Sequence, residues 1–110
     1  MDVPVKMVVS DLDGTLLNSE HNLTKPTMDA VKALVEQGVQ FMLATGRHYQ
    51  DVYLIAQQLE VDMCLITSNG ARVHNSSGEL LYENHMPSHL VKKVLDLSAG
   101  FDVHRNLYQQ

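Results

Sequence analysis

At 110 residues the chain has the size of one domain and can bury roughly two-thirds of the surface it exposes when unfolded. A net charge of −5, with no run of Lys or Arg, argues against nucleic acid or an anionic membrane as partner. A single cysteine, Cys64, excludes an internal disulfide; no stretch approaches the length of a membrane span, and the N-terminus lacks a signal-peptide pattern, so a cytoplasmic domain is expected.

The apolar run VKMVVS, residues 5–10, reads as a strand buried on both faces. A polar stretch without periodicity follows. Thr24 then has the character of a helix N-cap, with Pro26 tolerated in the first turn. Met28, Val31 and Val35 form one apolar stripe, and Gly38 is a natural stop. Residues 39–45, VQFMLAT, predict the next strand, and residues 48–60 a second helix. MCLITSNG predicts a third strand ending on Asn69-Gly70, with Cys64 a buried core thiol. This alternation implies an α/β fold: a parallel sheet of doubly wound type with right-handed crossovers. The rhythm then changes. ARVHNSSGELLYEN carries turn residues at 75–78 between alternating segments, a hairpin signal. Pro87 and Ser88 open a third helix that runs to about Gly100, and FDVHRNLYQQ begins to look extended.

In an open α/β sheet, ligands sit outside the carboxyl ends of the strands. Here all three strands end on polar chemistry: SDLDGT, ATGR and TSNG. Side chains two apart on an extended backbone point the same way, so Asp11 and Asp13 can face one site. Their repulsion at about 4 Å is on the order of 4 kcal/mol at a surface-like dielectric. A hard cation such as Mg²⁺ would relieve it, and Gly14 lets the chain turn away. The alternative is a pair of capping or turn aspartates. Thr45 and Gly46, a hydroxyl and an unhindered N–H before a helix, make an anion-binding corner, and Arg47 adds a planar cation suited to phosphate. A Thr cap beside a surface Arg is the competing reading. Asn69 and Gly70 are either ligand donors or a plain turn. The six histidines form no ligand set; His85 and His89 are separated by Pro87, whereas His48 stands beside Arg47 as a substrate contact.

DLDGT after an apolar strand, with MLATGR one strand later, resembles the haloacid dehalogenase superfamily of phosphohydrolases. ITSNGARV narrows the likeness to the Cof-type branch, whose larger cap is inserted after the third strand, and especially to its sugar-phosphatase and pyridoxal-phosphate phosphatase members. The resemblance implies a Rossmann-like core over residues 1–84, with a hairpin at 71–84, and the start of an α+β cap over 85–110. It makes Asp11 the nucleophile that becomes an aspartyl phosphate, and Asp13 the acid and base. The Asp11 carboxylate and the Asp13 carbonyl would hold Mg²⁺. Leu12, Thr45 and Gly46 would grip the phosphoryl group. Arg47, Asn69, Gly70 and His48 would face a small phosphorylated metabolite, a sugar phosphate or pyridoxal phosphate. Residues 16–23 would be the family's mobile squiggle and flap.

The family also uses a lysine that steadies the phosphate and nucleophile, and a late acidic motif of the GDxxND kind; neither is present, since the only later lysines, Lys92 and Lys93, lie on a cap-region helix. Those parts belong beyond the first strand, which should therefore be a sheet edge. The expectation is an N-terminal portion of a longer enzyme, weakly stable, poor in catalysis, and able to form a homodimer through that edge or the cap. A non-catalytic module that keeps only a phosphate or Mg²⁺ corner is the second reading. A signalling receiver domain is rejected: its phosphoacceptor Asp should follow the third strand, where TSNG stands, and Asp62 precedes that strand.

Overall fold

A computed structural model of the chain describes residues 3–108. Three strands alternate with two helices: β1 (Met7–Ser10), α1 (Lys25–Glu36), β2 (Gln40–Ala44), α2 (Tyr49–Leu59) and β3 (Cys64–Thr67). A hairpin, β4 (Arg72–Asn75) and β5 (Leu80–Glu83), and a last helix, α3 (Ser88–Ser98), complete the fold. The five strands form one mixed sheet in the order β1-β2-β3-β4-β5. β1 pairs with β2, and β2 with β3, in parallel; the two hairpin pairings are antiparallel. The fold is α/β as expected, and the hairpin extends the same sheet.

Local chemistry explains the boundaries. Thr24 stands at the N-cap position of α1 without a side-chain cap bond, its hydroxyl donating instead to Thr27 Oγ1 at 3.1 Å, and Pro26 lies in the first turn. The helix closes when Gly38, at φ +87°, lets its own N–H reach Val35 and the Val39 N–H reach Leu34, a Schellman closure. At the hairpin, Asn75 Oδ1 accepts from the N–H groups of Ser77 and Glu79, at 3.2 and 2.8 Å.

Strand order decides which face the helices cover. A doubly wound sheet carries helices on both faces. Here both crossovers step the same way, from β1 to β2 and on to β3, so right-handedness places α1 and α2 on a single face. That face holds the core: Phe41, Leu43 and Leu65 from the sheet, Val31 from α1, and Val52, Ala56 and Leu59 from α2. Leu12 and Leu17 close it at one end. The opposite face is bare. Met7 and Val9, expected to be buried, are 45% and 51% exposed, and Cys64 is half-buried because it alternates with the core residue Leu65. β1 is a sheet edge, as the missing motifs implied.

α3 buries none of its residues. The extended segment after it forms no strand over residues 101–108; it folds back instead, with no neighbouring strand to complete its hydrogen bonds. The Arg105 guanidinium donates through Nη1 to the Leu95 carbonyl and to Ser98 Oγ, at 3.0 and 3.2 Å. Residues 109 and 110 of the expected cap strand lie outside the described part. Among the described residues, no helix is long and apolar enough to cross a membrane.

The one-sided core predicts an asymmetry measurable by urea denaturation. Leu65→Ala should cost about 2–5 kcal/mol, as removal of a buried Leu does. Val9→Ser, on the bare face of the same sheet, should stay within about 0.5 kcal/mol.

Candidate active site

β1 ends at Ser10, and the chain turns at once. Asp11 is extended and accepts the Leu12 N–H at Oδ1, 2.7 Å away. Leu12 is fully buried, and its carbonyl accepts the Leu17 N–H at 3.0 Å, so Leu12–Leu16 forms a wide turn with Gly14 at φ +73°. The chain thus leaves the extended region at Leu12, between the two aspartates. Asp11 stays exposed at the strand end, whereas Asp13 turns toward Arg47. The premise of an extended backbone through both fails because Leu12 is drawn into the core.

Arg47 grips Asp13 with both arms: Nε donates to Oδ2 at 2.8 Å, and Nη2 donates to Oδ1. The His21 Nδ1 lies 3.4 Å from the same Oδ1. Asn18 closes that loop by accepting the Glu20 and Asn22 N–H groups at 3.0 Å each, and His21 adopts φ +62°. The Arg47 hydrogen bonds hold the Asp13 carboxyl below the usual carboxylate range, against a smaller opposing push from burial, and the Arg47 guanidinium is raised in turn. His21 carried no signal in the sequence, since it sits in an aperiodic polar stretch.

The exits of β2 and β3 are knitted together. Thr45 donates its N–H to Ile66, and Thr45 Oγ1 accepts the Arg47 N–H at 3.1 Å. The Ser68 N–H donates to the Arg47 carbonyl at 2.8 Å and the Asn69 N–H to the Thr45 carbonyl at 3.2 Å. A Cβ on Gly46 would stand 2.8 Å from Asn69 Oδ1, so a larger residue there would have to push the Asn69 side chain aside. Ser68 and Asn69 both adopt positive φ, +50° and +57°, followed by Gly70 at +94°. Two consecutive non-glycine residues in the left-handed region cost on the order of 1–3 kcal/mol each. The cross-strand hydrogen bonds hold them there.

These exits form a cleft lined by Asp11, Thr45, Gly46, Asn69 and Gly70, with Ala44 and Ile66 at its base. Five of the residues singled out from the sequence thus meet at one place. The others do not. Asp13 and Arg47 are occupied with each other, and the Leu12 N–H is taken by Asp11. His48 is buried as the N-cap of α2, accepting the Gln50 N–H at Nδ1, under the ring of Tyr108. It was expected at the substrate; it is drawn inward because its ring caps the helix. His74, which the sequence did not mark, is buried on Tyr49 with ring centroids 3.8 Å apart, and burial pushes its pKa down.

Among the described residues, no three His, Cys, Asp or Glu side chains gather as a complete cation cage. One exposed carboxylate, Asp11, faces the cleft. That donor set suits Mg²⁺, which keeps its waters and takes one or two carboxylates with phosphate oxygens.

The family model of haloacid dehalogenase-like hydrolases matches residues 8–110. A candidate phosphatase of Haemophilus influenzae is 47% identical over 95 residues, covering 86% of this chain and 35% of its own length. An HMP-PP phosphatase of Shigella flexneri is 39% identical over 90 residues, covering 82% of this chain and 33% of its own. A haloacid dehalogenase-like hydrolase from B. subtilis superposes with a TM-score of 0.80 at 29% identity, over 87% of this chain and 34% of that one. The chain spans between 33% and 39% of the curated relatives' length.

Gly46→Ala should destabilise the fold by about 1–3 kcal/mol in urea denaturation, as overpacking does. Adding Asn69→Gly should recover much of that loss, because it removes both the collision and a strained φ. The Asp13–Arg47 pair predicts a pH signature. A depressed carboxyl stabilises the fold above its unfolded pKa of about 3.9, and that contribution is lost as pH falls through the lower folded value. The stability gap between the wild type and Arg47→Gln should therefore be present at pH 7 and shrink below about pH 4.

Proposed function

We propose that this chain, which belongs to the haloacid dehalogenase-like hydrolase family, carries the nucleophile side of a phosphomonoester hydrolase acting on small phosphorylated metabolites. The observation that carries this reading is the cleft itself: an exposed carboxylate, Asp11, opposite a hydroxyl and a glycine-lined main chain at Thr45, Gly46, Asn69 and Gly70. A phosphoryl group seated there would meet a nucleophile on one side and anion-binding donors on the other.

In the first step an Asp11 oxygen attacks phosphorus and the ester P–O bond breaks, leaving an aspartyl phosphate and an alkoxide that takes a proton from Asp13. In the second, water attacks the phosphorus, its proton passes to Asp13, and the P–O bond to Asp11 breaks. Asp13 is ionised while Arg47 holds it, so it becomes an acid only when the guanidinium lets go. Phosphate is the competing bidentate partner, which makes Arg47 a group shared between Asp13 and the phosphoryl oxygens. The Asp11 carboxylate and the Asp13 carbonyl would hold Mg²⁺, which when bound would supply charge neutralisation between carboxylate and phosphate.

Residues 1–84 make part of the catalytic core in this reading, and residues 85–110 open the cap. Sugar phosphates and pyridoxal phosphate remain the substrate classes, joined by HMP-PP from the name of one relative. The lone Cys64 suits a cytoplasmic site. A second reading is favoured by the bare sheet face and the incomplete cation cage: on its own the chain binds phosphate or Mg²⁺ without turnover and pairs through the β1 edge as a homodimer.

Phosphate release from p-nitrophenyl phosphate and pyridoxal phosphate, with and without Mg²⁺, tests the two readings beside Asp11→Asn. Metal-dependent turnover that vanishes in the variant supports the hydrolase with Asp11 as nucleophile. No turnover above the variant, with Gly46 and Thr45 amide shifts on adding phosphate, supports the binding module. Turnover that survives in the variant overturns Asp11 as nucleophile.

A further inference from the structure

The segment after α3 meets the start of α2 through an aromatic contact, one residue along the chain from Arg47. The Tyr108 ring stacks on the His48 ring, with centroids 4.9 Å apart and planes 15° from parallel. His48 is 8% exposed, whereas Tyr108 is 60% exposed, so one face of the tyrosine roofs the histidine and the rest lies in solvent. Behind it, Arg105 ties the segment to the last turn of α3 at Leu95 and Ser98.

Beneath the roof a short chain of contacts leads into the cleft. His48 Nδ1 accepts the Gln50 N–H at 3.2 Å and so fixes the first turn of α2. The preceding residue, Arg47, gives its N–H to Thr45 Oγ1, takes the Ser68 N–H on its carbonyl, and spends its guanidinium on Asp13. A rotation of His48 would therefore be felt at Thr45, Gly46 and the strained Ser68–Gly70 turn. We infer that Tyr108 is a positioning residue: by roofing His48 it locks the N-cap of α2 and, through Arg47, the shape of the phosphate corner. Its effect on phosphate rests on reading the cleft as that corner; its effect on the cap does not.

The strap is held against a cost. With Nδ1 accepting the Gln50 N–H, Nε2 is the ring nitrogen left to donate, and that atom is buried with no partner among the described residues. Lifting Tyr108 would admit water to it. The favourable stack and the unpaired donor therefore oppose each other, which keeps the strap releasable. By reciprocity, an anion that orders the corner tightens the strap.

The test uses the 110-residue chain, with Tyr108→Ala and Tyr108→Phe, the latter retaining the stack. Amide exchange at Gln50 and the inorganic phosphate affinity, read from the Gly46 amide shift, are measured for each. Tyr108→Ala should speed Gln50 exchange by about fivefold, the factor a weakened N-cap is worth, and weaken phosphate binding by about threefold or more; Tyr108→Phe should restore both. Unchanged Gln50 exchange in Tyr108→Ala overturns the proposal, as does a loss that Tyr108→Phe fails to rescue. If the wild type binds no phosphate, the corner reading fails, and the Gln50 measurement still decides whether Tyr108 locks the cap.

Discussion

Two parallel pairings, Val8 beside Phe41 and Leu43 beside Leu65, carry the rest of the molecule. Parallel strands deliver all their carboxyl ends to one edge of the sheet, and each that leads to a parallel neighbour must be followed by a crossover that returns the chain to the opposite edge. The crossovers supply α1 and α2, whose apolar stripes turn the sheet's inner face into a core. The carboxyl ends supply Asp11, Thr45, Gly46 and Asn69 to one cleft from three separate segments. A single register thus builds both the core and the site.

Within that frame the site is held by close approaches rather than by burial. Gly46 leaves room for Asn69, and main-chain bonds from Ser68 and Asn69 to the neighbouring loop keep two residues in a backbone region they would otherwise leave. Arg47 is the pivot. Its N–H, carbonyl and guanidinium serve three different neighbours, so Thr45, the Ser68 turn and Asp13 are all tied to the same residue.

The bare face follows from the same topology. Two crossovers in one direction cover one side of a sheet only; covering the other needs a strand beyond β1 and a reversal of direction. Met7, Val9 and Cys64 therefore meet solvent, although their composition suits a core. Among the described residues no strand pairs the outer edge of β1, so its main-chain donors and acceptors border that apolar surface.

Short-range chemistry made much of this legible in advance. Apolar runs of the right length, Thr24 before Pro26, Gly38 after the α1 stripe and the 75–78 turn each act over a few residues, so the elements and the three polar strand ends could be read directly. The resemblance of SDLDGT, ATGR and ITSNGARV supplied the family on the same local footing. What could not be read was set by distance in the chain. Asp13 and Arg47 lie 34 residues apart, and nothing local distinguishes an arginine that faces phosphate from one that faces a carboxylate. The sidedness of the helices depended on strand order, the inward turn of His48 on its role as a cap, and its cover on Tyr108, sixty residues later. Local sequence encodes propensity and motif; which of several competent partners a side chain meets is decided when packing leaves room for only one of them.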